Sequence, residues 1–195
     1  MAPLNSQALV RSQSFRRQGE LQPEVVLTSD GGLASAYYNI AKVMRPSFLA
    51  WKCLWRAGQH VKRAIEARAG PTDNLLAIRG SIRLRMGYWP GAVSDFKEML
   101  RLRESAGAPP QKIADALMHL GHAYAFFPLL GKGRNLLKES VEIFEVYPND
   151  PNLARARRKL ATAYKLAGQF ALAEETRQQA ESDASKTAAD DQLDR

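Results

Sequence analysis

With 195 residues, 45% of them hydrophobic and 25% charged, the chain has the balance of an ordinary globular protein and is long enough for a real core. One cysteine, Cys53, excludes a disulfide framework and any multi-cysteine zinc site. It favours a reducing, intracellular setting, most naturally the cytoplasm, with a mitochondrial or other organellar site as the alternative. The net charge of +8 is uneven, residues 1–110 holding 16 Lys/Arg against 8 Asp/Glu and residues 111–195 holding 12 of each. That basic half can attract an acidic protein, nucleic acid or an anionic membrane, because all three respond to the same field.

Residues 1–33 read as a disordered basic tail. Arg11, Arg16 and Arg17 stand among Ser6, Ser12 and Ser14 before the first acid, Glu20, and Gly31-Gly32 closes the segment. An Arg- and Ser-rich, acid-poor start also fits a transit peptide. Helix signals then recur, with proline or an N-cap residue at nearly every start: Pro46-Ser47, Pro71-Thr72-Asp73, Pro90, Pro128 and Asp150-Pro151. Gly70 and Gly107 sit where C-caps belong. These marks predict helices over 34–44, 47–69, 73–86, 90–105, 111–126, 129–147, 151–166 and 170–184, and no strand. The polar stretch 185–195, SKTAADDQLDR, has nothing to bury and reads as a disordered C-terminal tail. The most apolar stretch, 116–131, is too short to cross a bilayer and contains His119 and His122, so no transmembrane segment is expected.

Small residues recur with a fixed period. Gly80 and Ala92, Gly121 and Gly133, and Ala161 and Ala173 are each 12 apart, with steps of 41 and 40 between successive pairs. Two antiparallel helices approach closely only where neither carries bulk, so each pair marks a crossing within one helical hairpin. Ala41 and Cys53, also 12 apart and 39 before Gly80, extend the pattern to a degenerate hairpin at the N-terminal end. The hairpins are about 34–69, 73–105, 111–147 and 151–184.

At this spacing the segment LLAIRGSIRLRMGYWPGAVSDFKEMLRL (75–102) resembles a tetratricopeptide repeat, through Gly80, Gly87, Ala92 and Phe96. ADALMHLGHAYAFF (114–127) resembles the first helix of such a repeat through Leu120, Gly121 and Tyr124. LARARRKLATAYKLAGQFALAEETRQQA (153–180) resembles a whole repeat through Leu160, Ala161, Tyr164, Gly168, Phe170, Ala173 and Ala180. The steps of 39 to 41 exceed the family's usual length, as in the longer repeats of kinesin-light-chain-like proteins; Pro128 replaces a turn glycine, and Arg177 stands where an aromatic is customary. The resemblance implies an all-α fold, a right-handed superhelix of stacked antiparallel hairpins, that binds partners rather than catalysing a reaction.

It also implies a concave groove lined by the first helices. Hairpin by hairpin the wall would be Tyr38, Lys42 and Arg45; Asn74, Ala77, Ser81 and Leu84; Asp115, Met118, His122 and Ala125; and Arg155, Arg158, Thr162 and Lys165. Both ends are basic, which suits an acidic peptide or helix with apolar anchors. Nucleic acid is the second choice of partner, since no basic motif interleaved with aromatics supports it. Arg155 and Lys159 resemble the basic pair of a carboxylate clamp, but Ala77, Ser81 and His119 do not match its other positions. Asp115, His119 and His122 share a helical face and have the donor types of a metal site. Inner-helix histidines more often pack, however, so no metal, cofactor or catalytic residue is assigned. The run Gly131-Lys132-Gly133-Arg134 lacks the spacing of a P-loop.

The helix 47–69 carries Phe48, Trp51, Leu54, Trp55, Val61 and Ile65 along one stripe, with Lys52, Arg56, Lys62, Arg63 and Arg68 elsewhere. A core-facing stripe with solvated basics is expected, Trp51 and Trp55 packing against the second hairpin. Membrane-surface association through this helix is the alternative.

Overall fold

A computed structural model of the chain describes residues 23–67, 71–126 and 129–193, with side chains described between 30 and 187. Eight helices and no strand occur among them: α1 (Pro23–Val43), α2 (Phe48–Ala67), α3 (Asp73–Arg85), α4 (Trp89–Ser105), α5 (Pro110–Ala125), α6 (Leu130–Glu145), α7 (Pro151–Leu166) and α8 (Phe170–Leu193). Local chemistry fixes their ends. The Thr72 hydroxyl accepts from the Leu75 amide at 3.4 Å, and the Asp150 carboxylate from the Asn152 amide at 2.8 Å with Pro151 at the first helical position. Gly87, Gly107 and Gly168 close α3, α4 and α7 with φ of +79°, +61° and +73°, a region where other residues are strained.

Two boundaries differ from expectation. The first helix already runs through Gly31 and Gly32, where the sequence suggested the end of a tail, because Asp30, Leu33 and Ala34 are buried and Asp30 binds His60 of α2 at 2.8 Å. Packing overrides the weak propensity of the glycine pair. The supposed tail from Ser185 instead continues α8 to Leu193. Its Ala, Lys and Gln are good helix formers, and Ser185 and Thr187 donate their hydroxyls to the carbonyls of Glu181 and Asp183. The tail and transit-peptide expectation for residues 1–22 lies outside the described residues, as do Gly70 and Pro128.

The chain divides into two compact units, one ending at Tyr88 and the other beginning at Trp89. In the first, α1 and α2 run antiparallel, as the pairing of Asp30 with His60 and of Ala41 with Cys53 in one core cluster shows. Small residues Ala34, Ala41, Ala50, Cys53, Ala57 and Ala64 are buried here, joined by Leu54, Val61 and Ile82. A guanidinium from α3, Arg85, donates to the Ala41 carbonyl at 3.0 Å.

This interface corrects the stripe expected on α2. Of its six members only Leu54 and Val61 are buried, while Phe48 is 78%, Trp51 50% and Trp55 49% exposed. The face that meets α1 is built of alanine and cysteine, and so close a contact has no room for an indole.

In the second unit, antiparallel neighbours follow one another from α4 to α8. Phe96 meets His119, the Ser140 hydroxyl donates to the Ala114 carbonyl at 2.7 Å, Arg157 pairs with Glu145 at 2.7 Å, and Arg157 also pairs with Asp183. Met118, Leu137, Val141, Phe144, Leu153, Leu160 and Tyr164 share one core cluster. Of the repeat positions, Ala92, Phe96, Leu120, Gly121, Tyr124, Gly133, Leu160, Ala161, Tyr164 and Ala180 are buried in this unit, Ala173 packs half-buried on the core, and Gly80 is buried in the first unit. Ser140 is fully buried. Ser140→Ala is expected to cost about 1 kcal/mol in urea unfolding by leaving the Ala114 carbonyl short of a donor.

Candidate partner-binding groove

The α7–α8 hairpin encloses an open groove of about 1030 Å³. Arg158, Ala161, Thr162 and Lys165 line it from α7; Phe170, Ala173, Glu174 and Arg177 line it from α8. The floor is apolar because the crossing needs small residues at Ala161 and Ala173, while Phe170, 67% exposed, adds a ring at one end. Arg158 and Lys165 lie two helical turns apart on one exposed face of α7, and Thr162 between them donates its hydroxyl to the Arg158 carbonyl at 3.0 Å. On the opposite wall Arg177 is engaged by Glu174 at 2.6 Å and by Glu181, so the cations free of a carboxylate partner among the lining residues named here are Arg158 and Lys165 on α7, facing a wall with one acid in excess.

Of the expected wall residues, then, Arg158, Thr162 and Lys165 come together. Arg155 is exposed outside the groove, donating to Asn152 Oδ1 at 2.6 Å. The α5 set behaves differently. Met118 and Ala125 are in the core, which leaves them no surface for a partner and corrects their assignment. In the first unit Lys42, Arg45 and Asn74 are exposed, Tyr38, Ala77 and Leu84 are half-buried, and Ser81 is buried and offers a partner nothing.

Asp115, His119 and His122 form a polar cluster with other partners. Arg103, itself buried, donates to the Asp115 carboxylate at 2.8 Å and to the Lys112 carbonyl at 2.6 Å, and His119 Nε2 lies 3.5 Å from Asp115. Burial opposes ionisation of Asp115, but its hydrogen bonds to His119 and Arg103 outweigh that and hold the carboxyl well below its ordinary range. His119 is pushed down by burial, against the pull of Asp115, with the charges of Lys159 and Arg155 adding to the effect. His122 is lowered to about 3 by burial and by Lys159, whose amine is 3.1 Å from Nδ1. Among the described residues no three acidic, His or Cys side chains converge on a metal position. Lys159 reaches across from α7 to α5, the first helices of adjacent hairpins.

Sequence reasoning missed the α8 wall. It placed the groove on first helices alone, whereas Phe170, Glu174 and Arg177 belong to a second helix; the departure at Arg177 was the signal that could have found them, since an aromatic there would have turned inward.

No protein-family model matches the chain, and no curated protein matches it. Solved structures do. BtubC (BKLC) from P. vanneervenii has a TM-score of 0.64 at 18% identity, over 95% of this chain and 72% of that one. The apo form of RapI gives 0.63 at 16%, over 91% of this chain, which spans only 62% of RapI. YrrB, described as a TPR protein with an unusual peptide-binding site, gives 0.51 at 17%, over 83% and 74% of the two chains. The fold is tetratricopeptide-like. The TPR-like repeats of a putative kinesin light chain from Podosopora anserina are also similar, with a TM-score of 0.52 at 16% identity over 97% of this chain and 100% of that one.

Proposed function

We propose that this chain is a non-enzymatic interaction scaffold that holds an acidic peptide or helix in the α7–α8 groove. The observation that carries the proposal is the pair Arg158 and Lys165, exposed two turns apart above the apolar floor of Ala161, Phe170 and Ala173. A helix or extended segment with an apolar anchor and flanking carboxylates satisfies both features, charge steering it in and burial retaining it. YrrB's peptide-binding site is consistent with such a use of the fold.

Screening a peptide library against the full chain by fluorescence polarisation tests this. Acidic sequences with apolar anchors are expected, with affinity falling about tenfold or more in Arg158→Glu/Lys165→Glu, at unchanged helicity. Selection of basic peptides, or binding indifferent to both charges, would sink the groove assignment.

A further inference from the structure

The exposed face of α2 combines aromatic rings with cations. Buried positions Ala50, Cys53, Leu54, Ala57, Val61 and Ala64 occupy one side of the helix. The opposite side carries Phe48, Trp51 and Trp55 in successive turns, with Lys52, Arg56 and Arg63 in a row along one flank and Lys62 farther along the helix, all exposed. Phe48 and Trp51 stack with ring centroids 6.4 Å apart, making one apolar ledge. At the corner leading from α1, Val43 is 84% and Leu49 57% exposed, which adds exposed aliphatic groups at this end of the helix. No Asp or Glu occurs between Asp30 and Glu66, a stretch that holds Lys42, Arg45, Lys52, Arg56, Lys62 and Arg63.

We infer that this face of α2 docks the protein on an anionic lipid surface. Tryptophan combines a large apolar body with a polar N–H and is favoured at the boundary between hydrocarbon and water. Lysine and arginine beside it meet lipid phosphates and carboxylates. Trp55 and Lys62 border a hollow of about 440 Å³ between α2 and α3, but Phe48, Trp51, Val43 and Leu49 lie outside it, on open surface where a flat partner can reach them. Val43 and Leu49 have no ring on which a nucleic-acid base could stack, but they gain from entering lipid. A second copy of the chain is disfavoured by charge, since this face would bring cations against cations. The surface is separate from Arg158 and Lys165, so it stands whether or not the groove holds a peptide.

Co-sedimentation of the full chain with phosphatidylcholine vesicles, with and without phosphatidylserine, tests the inference. Binding only to the serine-containing vesicles is expected, weakening as salt rises. Trp51→Ser/Trp55→Ser and Lys52→Glu/Arg56→Glu are each expected to lower partitioning at least about tenfold. Both pairs are solvent-exposed, so helicity by circular dichroism should be unchanged, and Arg158→Glu/Lys165→Glu should bind vesicles like the parent. In Trp89→Phe the emission of Trp51 and Trp55 should shift to the blue on binding. Absence of binding at low salt overturns the inference, as does binding that survives both double substitutions, which would assign it to basic residues elsewhere. Capture of an oligonucleotide through the same residues by a chain that ignores vesicles would overturn it too.

Discussion

Gly133→Ala is expected to destabilise the protein by about 2–3 kcal/mol, although alanine is the better helix former by about 1 kcal/mol. A Cβ on Gly133 would lie 2.6 Å from the Gly121 carbonyl oxygen and 2.8 Å from the Ala125 amide nitrogen. A Cβ on Gly121 would lie 2.8 Å from the Gly133 carbonyl oxygen and 2.9 Å from Leu137 Cγ. The closest obstructions are backbone, which cannot rotate away as a side chain can. The helices α5 and α6 must therefore separate, and separation loosens Met118, Leu137, Val141 and Phe144, which fill the same core. Gly121→Ala should behave similarly. The double substitution should cost less than the sum, because helices already moved apart accommodate the second methyl more easily. Gly58→Ala in α2 supplies the contrast: its Cβ would meet nothing within 4 Å, so a gain of about 0.5–1 kcal/mol is expected from propensity alone. Urea unfolding followed by circular dichroism compares the four variants with the parent. Parental stability in Gly133→Ala would show that the close crossing is not there.

The same crossing shows why the fold was legible. A position that admits no side chain leaves a mark in the sequence that composition cannot blur, so Gly121 and Gly133 announced the contact. Caps did likewise: Thr72, Asp150 and Pro151 act locally, within a few residues, and their helices begin where they stand. Failures arose where the outcome depended on what lay across an interface. The stripe on α2 looked core-facing because its bulkiest residues fall within one broad arc of the helix. Yet the face chosen for burial was the one with the smallest residues, since α1 brings Ala34 and Ala41 against it. Glycines at 31 and 32 suggested an end for the same reason, the burial of Asp30 and Ala34 being invisible locally. For the groove, Arg158, Thr162 and Lys165 were readable from helical spacing. Met118 and Ala125 on the equivalent helix α5 were not excluded, because helical spacing does not show which face of α5 its neighbours α4, α6 and α7 cover.

That interior position also makes the protein sensitive to acid. In the folded chain His122 takes a proton only near pH 3, against an ordinary value of 6.5, because it is buried and Lys159 stands beside it. The unfolded chain takes that proton near its ordinary value, so between the two the unfolded state binds more protons and stability must fall as pH falls. His119 adds to this in the same direction, since its affinity for a proton is also lowered on folding. Asp115, held ionised against burial by His119 and Arg103, contributes stability that is complete above its ordinary value of 3.8 and is lost below it. The expected result is a loss of about 3 kcal/mol between pH 7 and pH 4.5, most of it from His122. Lys159→Met removes the neighbouring charge, raises the His122 value and should flatten the profile, and His122→Gln should flatten it further. Urea midpoints at the two pH values measure the slope. Histidine ring proton shifts locate its source, with His122 expected to hold one chemical shift from pH 8 to pH 5. A midpoint indifferent to pH, or a His122 resonance that titrates near its ordinary value, would mean that His122 is not buried beside Lys159 where α5 meets α7.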